Sequence, residues 1–535
     1  MKINIWLYSL MSVLLTPLFA TNDMQIIAEF QGEHHRSGYG FTIESLDFNH
    51  DGYTDLIVSS RFYDYVAGES GSRGKVYVYY GGPDFNSDTI PSVTLEGTTT
   101  MVIKDIYNVG DINGDGFEDL CIYDGFAGSG YPPPNAYPRL RFYYGGNDSL
   151  DNPDHVISFP YESMVQRVSN IGDFDGDGFG EVGLHYIYAI YQAPDIKKFT
   201  IMWGGDFMEQ VVLEYAYNNA ISSISGIGDI DGDGYRDFAL GFTDPDPETG
   251  YHMIRIYHGN PERDLSDPDV LIQTQEPITK DSRPIGDVNG DGFDDFMGYY
   301  SNVGTHAWLG GLSIDYLTPS FNFTPGWTGN EASSCLKYGD LNGDGFDDVV
   351  GTNYHALKFS VWMGSERMNG TSDLIKVGYY DNFGYSIATG DFNADGFCDV
   401  AIGAPRSELY NPPNFPGYLW VYGGNSQLQD TTVANEDLLI PGVADQLYIS
   451  ISPNPVRSSN GVASIFARCK APSAIDEGVL SVFNIKGQLV YSANVPIDQS
   501  KMEHQIILKQ FPAGVYLCRV SLGNISATKR ISVIK

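Results

Sequence analysis

A nine-residue pattern of carboxylates, amides and glycine occurs seven times along this chain, and it limits the available folds more than any other feature. The first copy reads Asp47-Phe-Asn49-His-Asp51-Gly-Tyr53-Thr-Asp55; the others occupy residues 111–119, 173–181, 229–237, 287–295, 340–348 and 391–399. Every copy keeps an acid at positions 1 and 5, Asn or Asp at 3, Gly at 6, an aromatic residue at 7 and an acid at 9. The copies start 64, 62, 56, 58, 53 and 51 residues apart. Periods of this length mark one supersecondary unit used repeatedly, so the unit decides the fold class.

Oxygen donors at alternate positions of a short loop suit a hard cation with six to eight ligands, and calcium fits best. Glycine at position 6 permits the sharp turn that lets position 7 offer its carbonyl. The candidate ligands are therefore Asp47, Asn49, Asp51, Tyr53 and Asp55; Asp111, Asn113, Asp115, Phe117 and Asp119; Asp173, Asp175, Asp177, Phe179 and Glu181; Asp229, Asp231, Asp233, Tyr235 and Asp237; Asp287, Asn289, Asp291, Phe293 and Asp295; Asp340, Asn342, Asp344, Phe346 and Asp348; and Asp391, Asn393, Asp395, Phe397 and Asp399. The expectation is up to seven structural Ca2+ ions, because carboxylates held this close repel one another without a cation between them. The alternative is a set of metal-free turns, since Asp, Asn and Gly form turns unaided; that reading gives no reason for an acid at position 9 in every copy. An EF-hand begins alike but closes with a bidentate Glu at position 12 between helices. Here position 12 is Val58, Ile122, Leu184, Leu240, Gly298, Gly351 or Ile402, none of which ligates through its side chain.

Each unit reads as a strand into the loop (residues 39–43 in the first), a strand out of it, a variable connection, a third strand ending in glycine (75–82, 140–146, 199–205, 254–259, 306–311, 359–364, 419–424) and a short fourth strand such as 92–95 or 270–272. Seven four-stranded sheets make a seven-bladed β-propeller. Closing such a ring requires the last edge to be sealed. Residues 25–28 align with the fourth strands, so they are expected to complete the last blade.

The formal charge of −37 excludes nucleic acid and anionic membrane as partners. At the ligand positions five copies carry three carboxylates and two carry four, which explains much of that charge. Residues 1–20 hold one lysine and then an uncharged run to Ala20, the layout of a secretory signal peptide; an uncleaved anchor is the alternative. No later stretch is apolar enough to span a membrane, so none is expected in the mature chain. Five cysteines leave at least one unpaired. Cys121, Cys335 and Cys398 are expected to be free thiols; Cys469 and Cys518 share the last domain and are candidate disulfide partners.

The segment Phe383-Gly384-Tyr-Ser-Ile-Ala-Thr-Gly-Asp391 leading into Ala401-Ile-Gly-Ala-Pro405 resembles the FG-GAP repeat, also grouped with VCBS-type repeats, of integrin alpha-chain propellers. The resemblance covers roughly residues 24–445 of the propeller domain, which is read as residues 21–445. It implies that positions 1, 3, 5, 7 and 9 hold calcium, that the metal loops lie on a lower face, and that ligands engage the opposite one. Only the last unit has both the FG and GAP signatures, so particular integrin partners are not implied. From residue 446 to 535 short alternating segments around 451–455, 480–491, 511–517 and 529–535 read as a small immunoglobulin-like β-sandwich. They resemble the type A sorting domain of the type IX secretion system, which implies contact with that machinery and a secreted or outer-surface location. A sandwich that binds a ligand is the alternative.

No nucleophile elbow, zinc-protease helix or phosphate loop occurs, and the histidines are scattered. A non-enzymatic adhesion or recognition protein for an extracellular protein or glycan ligand is the reading; a polysaccharide-degrading, lyase-like enzyme is the alternative, since two carboxylates suffice for glycoside chemistry. Acids or His converging in one pocket would favour the enzyme. Trp203, Trp308, Trp362 and Trp420 recur near third-strand ends and are expected to pack between blades. The variable connections at 61–74, 125–138, 243–252 and 406–416 carry aromatic residues that give contact area at low entropic cost. Their candidates for ligand contact are Tyr63, Tyr65, Tyr131, Tyr137, Tyr251 and Tyr410, joined by Trp327.

Overall fold

The computed structural model describes residues 23–429 except 36, 64–72, 99–100, 127–136, 147–148, 161–162, 189–195, 206–209, 214–220, 243–251, 275–277, 301–303, 324–335, 379–381 and 406–415, and residues 447–534 except 453–455, 458–461, 470–476, 485–487, 499–500, 509–510, 513 and 523–524. The expected signal peptide lies outside them. The described residues form strands and turns without helices. The chain divides into two compact units, residues 1–430 and 431–535.

Seven four-stranded antiparallel sheets make up the first unit. Their innermost strands are Tyr39–Leu46, Met101–Gly110, Ser163–Gly172, Ile221–Gly228, Ile278–Gly286, Leu336–Gly339 and Ser386–Gly390. Each innermost strand touches that of the next sheet, and the seventh touches the first, so the contacts run in a closed cycle. Each nine-residue loop joins the first strand of a sheet to the second. The second strands begin at the ninth residue of each loop (Asp55–Ser60, Asp119–Phe126, Glu181–Tyr188, Asp237–Phe242, Asp295–Tyr300, Asp348–Asn353 and Asp399–Ala404). Residues in four of them, such as Asp55–Ser60 and Asp399–Ala404, are buried throughout, as befits strands covered on both faces by neighbouring sheets.

The seventh sheet takes its outermost strand from the start of the unit. Gln25–Gln31 pairs antiparallel with Tyr418–Gly423, from Gln25 opposite Gly423 to Gln31 opposite Tyr418, with an irregularity at Ile26/Ala28. This is the sealing that the alignment of residues 25–28 predicts. Without it the Tyr418–Gly423 edge would present unpaired backbone groups.

Apolar side chains fill the seams between consecutive sheets. Trp362 of the sixth sheet lies in a cluster with Ile285, Met297 and Tyr299 of the fifth; Trp420 of the seventh lies with Val350 and Phe359 of the sixth. Trp203 packs with Phe238 and Tyr257 of the following sheet, and Trp308 with Ile254 and Ile256 of the preceding one. All four indoles are buried, which agrees with packing between sheets. Cys121 is a buried free thiol, and Cys398 a partly buried one.

In the second unit eight strands run in the order Leu447–Ser452, Val462–Cys469, Lys501–Ile507, Leu489–Asp498, Glu477–Asn484, Gly514–Leu522, Ile525–Ile534 and Val456–Arg457. All pairings are antiparallel except the last. The segment read from sequence as 480–491 falls on two strands, Glu477–Asn484 and Leu489–Asp498, that pair antiparallel. Leu480, Val482, Val495, Ile506 and Val520 are buried in its core. Cys518 is a free buried thiol there, so the disulfide considered for it and Cys469 is not formed.

Candidate metal centres and ligand face

All seven loops repeat one hydrogen-bond scheme. The sixth-position N–H donates to Oδ2 of the first acid at 2.8–3.0 Å. The seventh-position N–H donates to Oδ1 of the fifth acid at 2.9–3.1 Å. This wraps the backbone around the acids. The sixth-position glycines sit at φ between +87° and +94°, a conformation that favours glycine, with open space where a Cβ would stand. Backbone conformation, not crowding, therefore requires glycine there.

Where the third residue is Asn, its Nδ2 reaches Oδ2 of the fifth acid at 2.8–3.0 Å, as in Asn113 to Asp115 and Asn342 to Asp344. The amide turned over presents its oxygen at the same place, beside two carboxylates, which is a hard-cation donor set. In the two copies with Asp at position 3, acids converge directly. Ligand atoms of Asp173, Asp175 and Glu181 lie within 4.8 Å of one another, as do those of Asp229, Asp231 and Asp233. These donor sets fit a divalent cation.

The ninth acid has a further role that the sequence did not expose. It is fully buried in all seven copies. One of its oxygens accepts the second-position N–H at 2.6–3.1 Å. The other accepts the N–H of a glycine just beyond the third strand (Gly81, Gly145, Gly204, Gly259, Gly310, Gly364 or Gly424) at 2.7–3.2 Å. The acid thus ties the loop to the neighbouring strand of its own sheet, a reason for its recurrence apart from any metal. Burial pushes these carboxyls up, to about 7 for Asp55, Asp119 and Asp399 and to about 8 for Glu181, Asp295 and Asp348, with neighbouring loop acids adding to the shift. A nearby cation would offset that cost.

Successive loops also hold one another. In the third to seventh loops the eighth-position N–H donates to the first-position carbonyl of the loop before, as in Arg236 to Asp173 at 3.0 Å and Cys398 to Asp340 at 2.9 Å. The seventh-position aromatic ring lies over the fourth position of the preceding loop: a Cβ on Gly176 would meet Tyr235 at 2.5 Å, and one on Gly343 would meet Phe397 at 2.9 Å. The aromatic residues read as carbonyl donors thus also cover their neighbours.

Two side chains missed from sequence enter these loops, the guanidinium of Arg263 and the imidazole of His258. Arg263, on the connection after the third strand of the fourth sheet, pairs through Nε with Asp175 and through Nη2 with Asp177 at 2.9 Å. Its guanidinium lies 4.5 Å from the centre of the Trp203 ring. His258 Nδ1 lies 3.2 Å from Asp231 Oδ2 and 3.3 Å from Asp237 Oδ1. Both enter loops with four ligand-position carboxylates; a long-range partner leaves no local signal except that surplus acid.

Of the residues expected at the ligand face, Tyr65, Tyr131, Tyr251, Tyr410 and Trp327 lie outside the described residues. Tyr137 is exposed. Tyr63 is buried, its ring close to Lys75 Nζ (4.7 Å) and to the His34 ring (5.1 Å), so it serves as packing rather than as an open contact face. A cavity of about 920 Å3 lies among the inner strands. Its acids include Glu44, paired with Lys337 at 2.9 Å, and Asp105, which accepts from Thr42 Oγ1 at 2.6 Å and lies 3.8 Å from Arg61.

These features define an all-β protein of repeated four-stranded sheets with acidic turn loops. Comparison with known families places it further: residues 39–79 and 383–422 match the FG-GAP repeat, residues 340–402 the FG-GAP-like repeat, and residues 450–535 the secretion system C-terminal sorting domain. The chain thus carries FG-GAP repeats and a type IX sorting domain, and it is secreted or attached at the outer surface. Among the described residues no helix is long and apolar enough to cross a membrane. Its relatives include integrin alpha-PS3 of Drosophila melanogaster, 27% identical over 31% of this chain and 15% of that protein, and integrin alpha-6 of Gallus gallus, 36% identical over 23% of this chain and 10% of that protein. The chain therefore matches only a small part of these relatives. The crystal structure of the V. cholerae biofilm matrix protein Bap1 is similar at TM-score 0.35 and 10% identity, over 75% of this chain and 91% of its own, a likeness too distant to carry function.

Proposed function

We propose that residues 21–445 form a seven-bladed propeller whose acidic loops are structural cation sites, and that its opposite end recognises an extracellular protein or glycan ligand as an adhesion module. The observation that carries this is the closed cycle of inner-strand contacts, with one acidic loop at the same end of every sheet. The five loops with Asn at position 3 are the calcium sites: first, third and fifth side chains and the seventh carbonyl provide hard oxygen donors, and the ninth acid lies beneath them. The cation neutralises acids that would otherwise repel; the chain's own residues fix the loop and tie it to the third strand. In the third loop Arg263 already supplies positive charge. The chain is not an enzyme in this reading. The cavity acids Glu44 and Asp105 are already paired, and no nucleophile motif accompanies them.

Ligand recognition is assigned to the connections between second and third strands, which leave the sheets at the end away from the acidic loops. Tyr137 is an exposed contact there, joined by Tyr65, Tyr131, Tyr251 and Tyr410 from the sequence reading. The eight-stranded second unit is read as a sandwich at residues 446–535 that engages the secretion machinery.

Thermal unfolding of the full chain in calcium and after chelation, with metal counting, tests the cation reading. Several bound ions and a large fall in Tm on chelation are expected; no bound metal and an unchanged Tm would refute it. The ligand face is tested by a glycan and protein ligand screen followed by Tyr131→Ala, Tyr137→Ala and Tyr410→Ala together. Unchanged binding of an identified ligand would refute that assignment.

A further inference from the structure

In six of the seven units the residue just before the glycine that the ninth acid holds carries no imidazole: Tyr80, Tyr144, Trp203, Leu309, Met363 and Gly423. The fourth unit places His258 there. Its backbone is fixed on both sides, since His258 N–H donates to Asp269 Oδ2 at 2.8 Å and Gly259 N–H to Asp237 Oδ1 at 2.9 Å. The imidazole is thereby aimed into the fourth loop.

Three side chains from two segments converge at this point. Ligand atoms of His258, Asp231 and Asp237 lie within 4.8 Å of one another, and Asp237 is fully buried. His258 Nδ1 is itself buried; at 3.2 and 3.3 Å from the two carboxylate oxygens it is aligned to hydrogen-bond neither. Those separations have a simple meaning in coordination chemistry. Zinc takes N and O ligands at about 2.0–2.2 Å, so neighbouring ligand atoms of a tetrahedral site stand roughly 3.3–3.5 Å apart. Calcium binds oxygen at about 2.3–2.6 Å and gains little from an imidazole nitrogen.

We infer that the fourth loop is a mixed nitrogen–oxygen site for a borderline divalent ion of the zinc class, held by His258, Asp231 and Asp237, unlike the oxygen-only loops with Asn at position 3. Asp231 also belongs to the group it forms with Asp229 and Asp233, so these acids are at hand to complete the coordination. The inference rests on reading the loops as cation sites and assigns one of them a different metal.

The test uses the full exported chain, stripped with chelator and then equilibrated with Zn2+ in an excess of Ca2+, with both metals counted after removal of unbound ions. One zinc per chain is expected in the presence of calcium. His258→Gln should weaken zinc binding by more than about 100-fold, beyond the cost of losing an outer-shell partner, and leave the calcium count unchanged. Zinc absent from the wild-type chain, or retained equally by His258→Gln, overturns the inference; calcium missing from the other loops overturns the preceding reading instead. Should His258→Gln fail to fold, Co2+ substituted into the wild-type chain decides: an intense visible spectrum of low-coordinate cobalt is expected, and only a weak six-coordinate spectrum overturns the site.

Discussion

The third and sixth acidic loops share one framework and neutralise it differently. In both, the first acid accepts from the fourth- and sixth-position N–H groups, at 2.8 and 3.0 Å for Asp173 and 2.7 and 2.9 Å for Asp340. In both, the ninth acid spans two backbone N–H groups. They part at position 3. Asn342 turns its amide to Asp344 at 2.9 Å, whereas Asp175 adds a carboxylate that meets Arg263, 88 residues away in the chain. The nine residues fix the backbone path, but the charge balance of each loop depends on what the neighbouring sheet sends into it.

The largest effect that bears on this comparison is collective. In chelator the ninth acids of both loops are pushed to about 8, and those of the first, second and seventh loops to about 7, against about 4 in an unfolded chain. Between those values the folded chain binds more protons than the unfolded one, so stability falls as pH rises through the window. Metal-free protein is therefore expected to show a rising Tm as pH is lowered from about 8 towards 4. A calcium-loaded sample should lose most of this dependence; an equal slope in both would break the link between these acids and the cation.

Next in size is the tie made by the ninth acid, which should be the same in the two loops. Asp348→Ala leaves the buried Leu341 and Gly364 N–H groups without their acceptor and should cost roughly 3–5 kcal/mol. Glu181→Ala should cost a similar amount, and both losses should persist in chelator. Denaturant unfolding measures them; a loss confined to calcium-loaded protein would make the acid purely a metal ligand.

Arg263→Gln should separate the loops. Removing the guanidinium leaves Asp175 and Asp177 facing each other, at a cost of about 1–2 kcal/mol in chelator because the arginine is partly solvated. Added calcium should restore that loss and raise the bound-ion count by one. No extra ion would show that the arginine does not stand in for a metal.

The smallest effect lies at position 4. Ala394 holds φ 58° where five other loops use glycine, so Ala394→Gly should gain about 1 kcal/mol. Gly343→Ala should do the reverse and more, because its φ is +74° and the Phe397 ring lies where the Cβ would stand. Thermal melts of the two variants check this.

Much of the first unit was legible in the sequence because its signals are local. The strand into each loop, the strand out of it and the sealing strand at residues 25–28 follow from alternation and spacing, and the four tryptophans from their recurring register. The reason for the ninth acid was not legible: its partners are a backbone N–H at the loop start and another beyond the third strand, and backbone groups have no letter in a sequence. Arg263 and His258 were missed because the contacts join segments that only the folded sheets bring together. Tyr63 shows the opposite error, an aromatic residue on a variable connection that turns inward onto Lys75.

The pairing of Gln25–Gln31 with Tyr418–Gly423 also puts a clock in the fold. A chain is made from its N-terminus, so the segment that finishes the last sheet exists long before the strand it pairs with and is among the last of its unit to be seated. Until residues 418–423 arrive, it has no partner, and the ring stays open across almost the whole length of the unit. Contacts so distant in sequence form slowly. A chain folding after export therefore passes through a long interval with two unmatched edges, and removal of residues 25–31 would make that interval permanent.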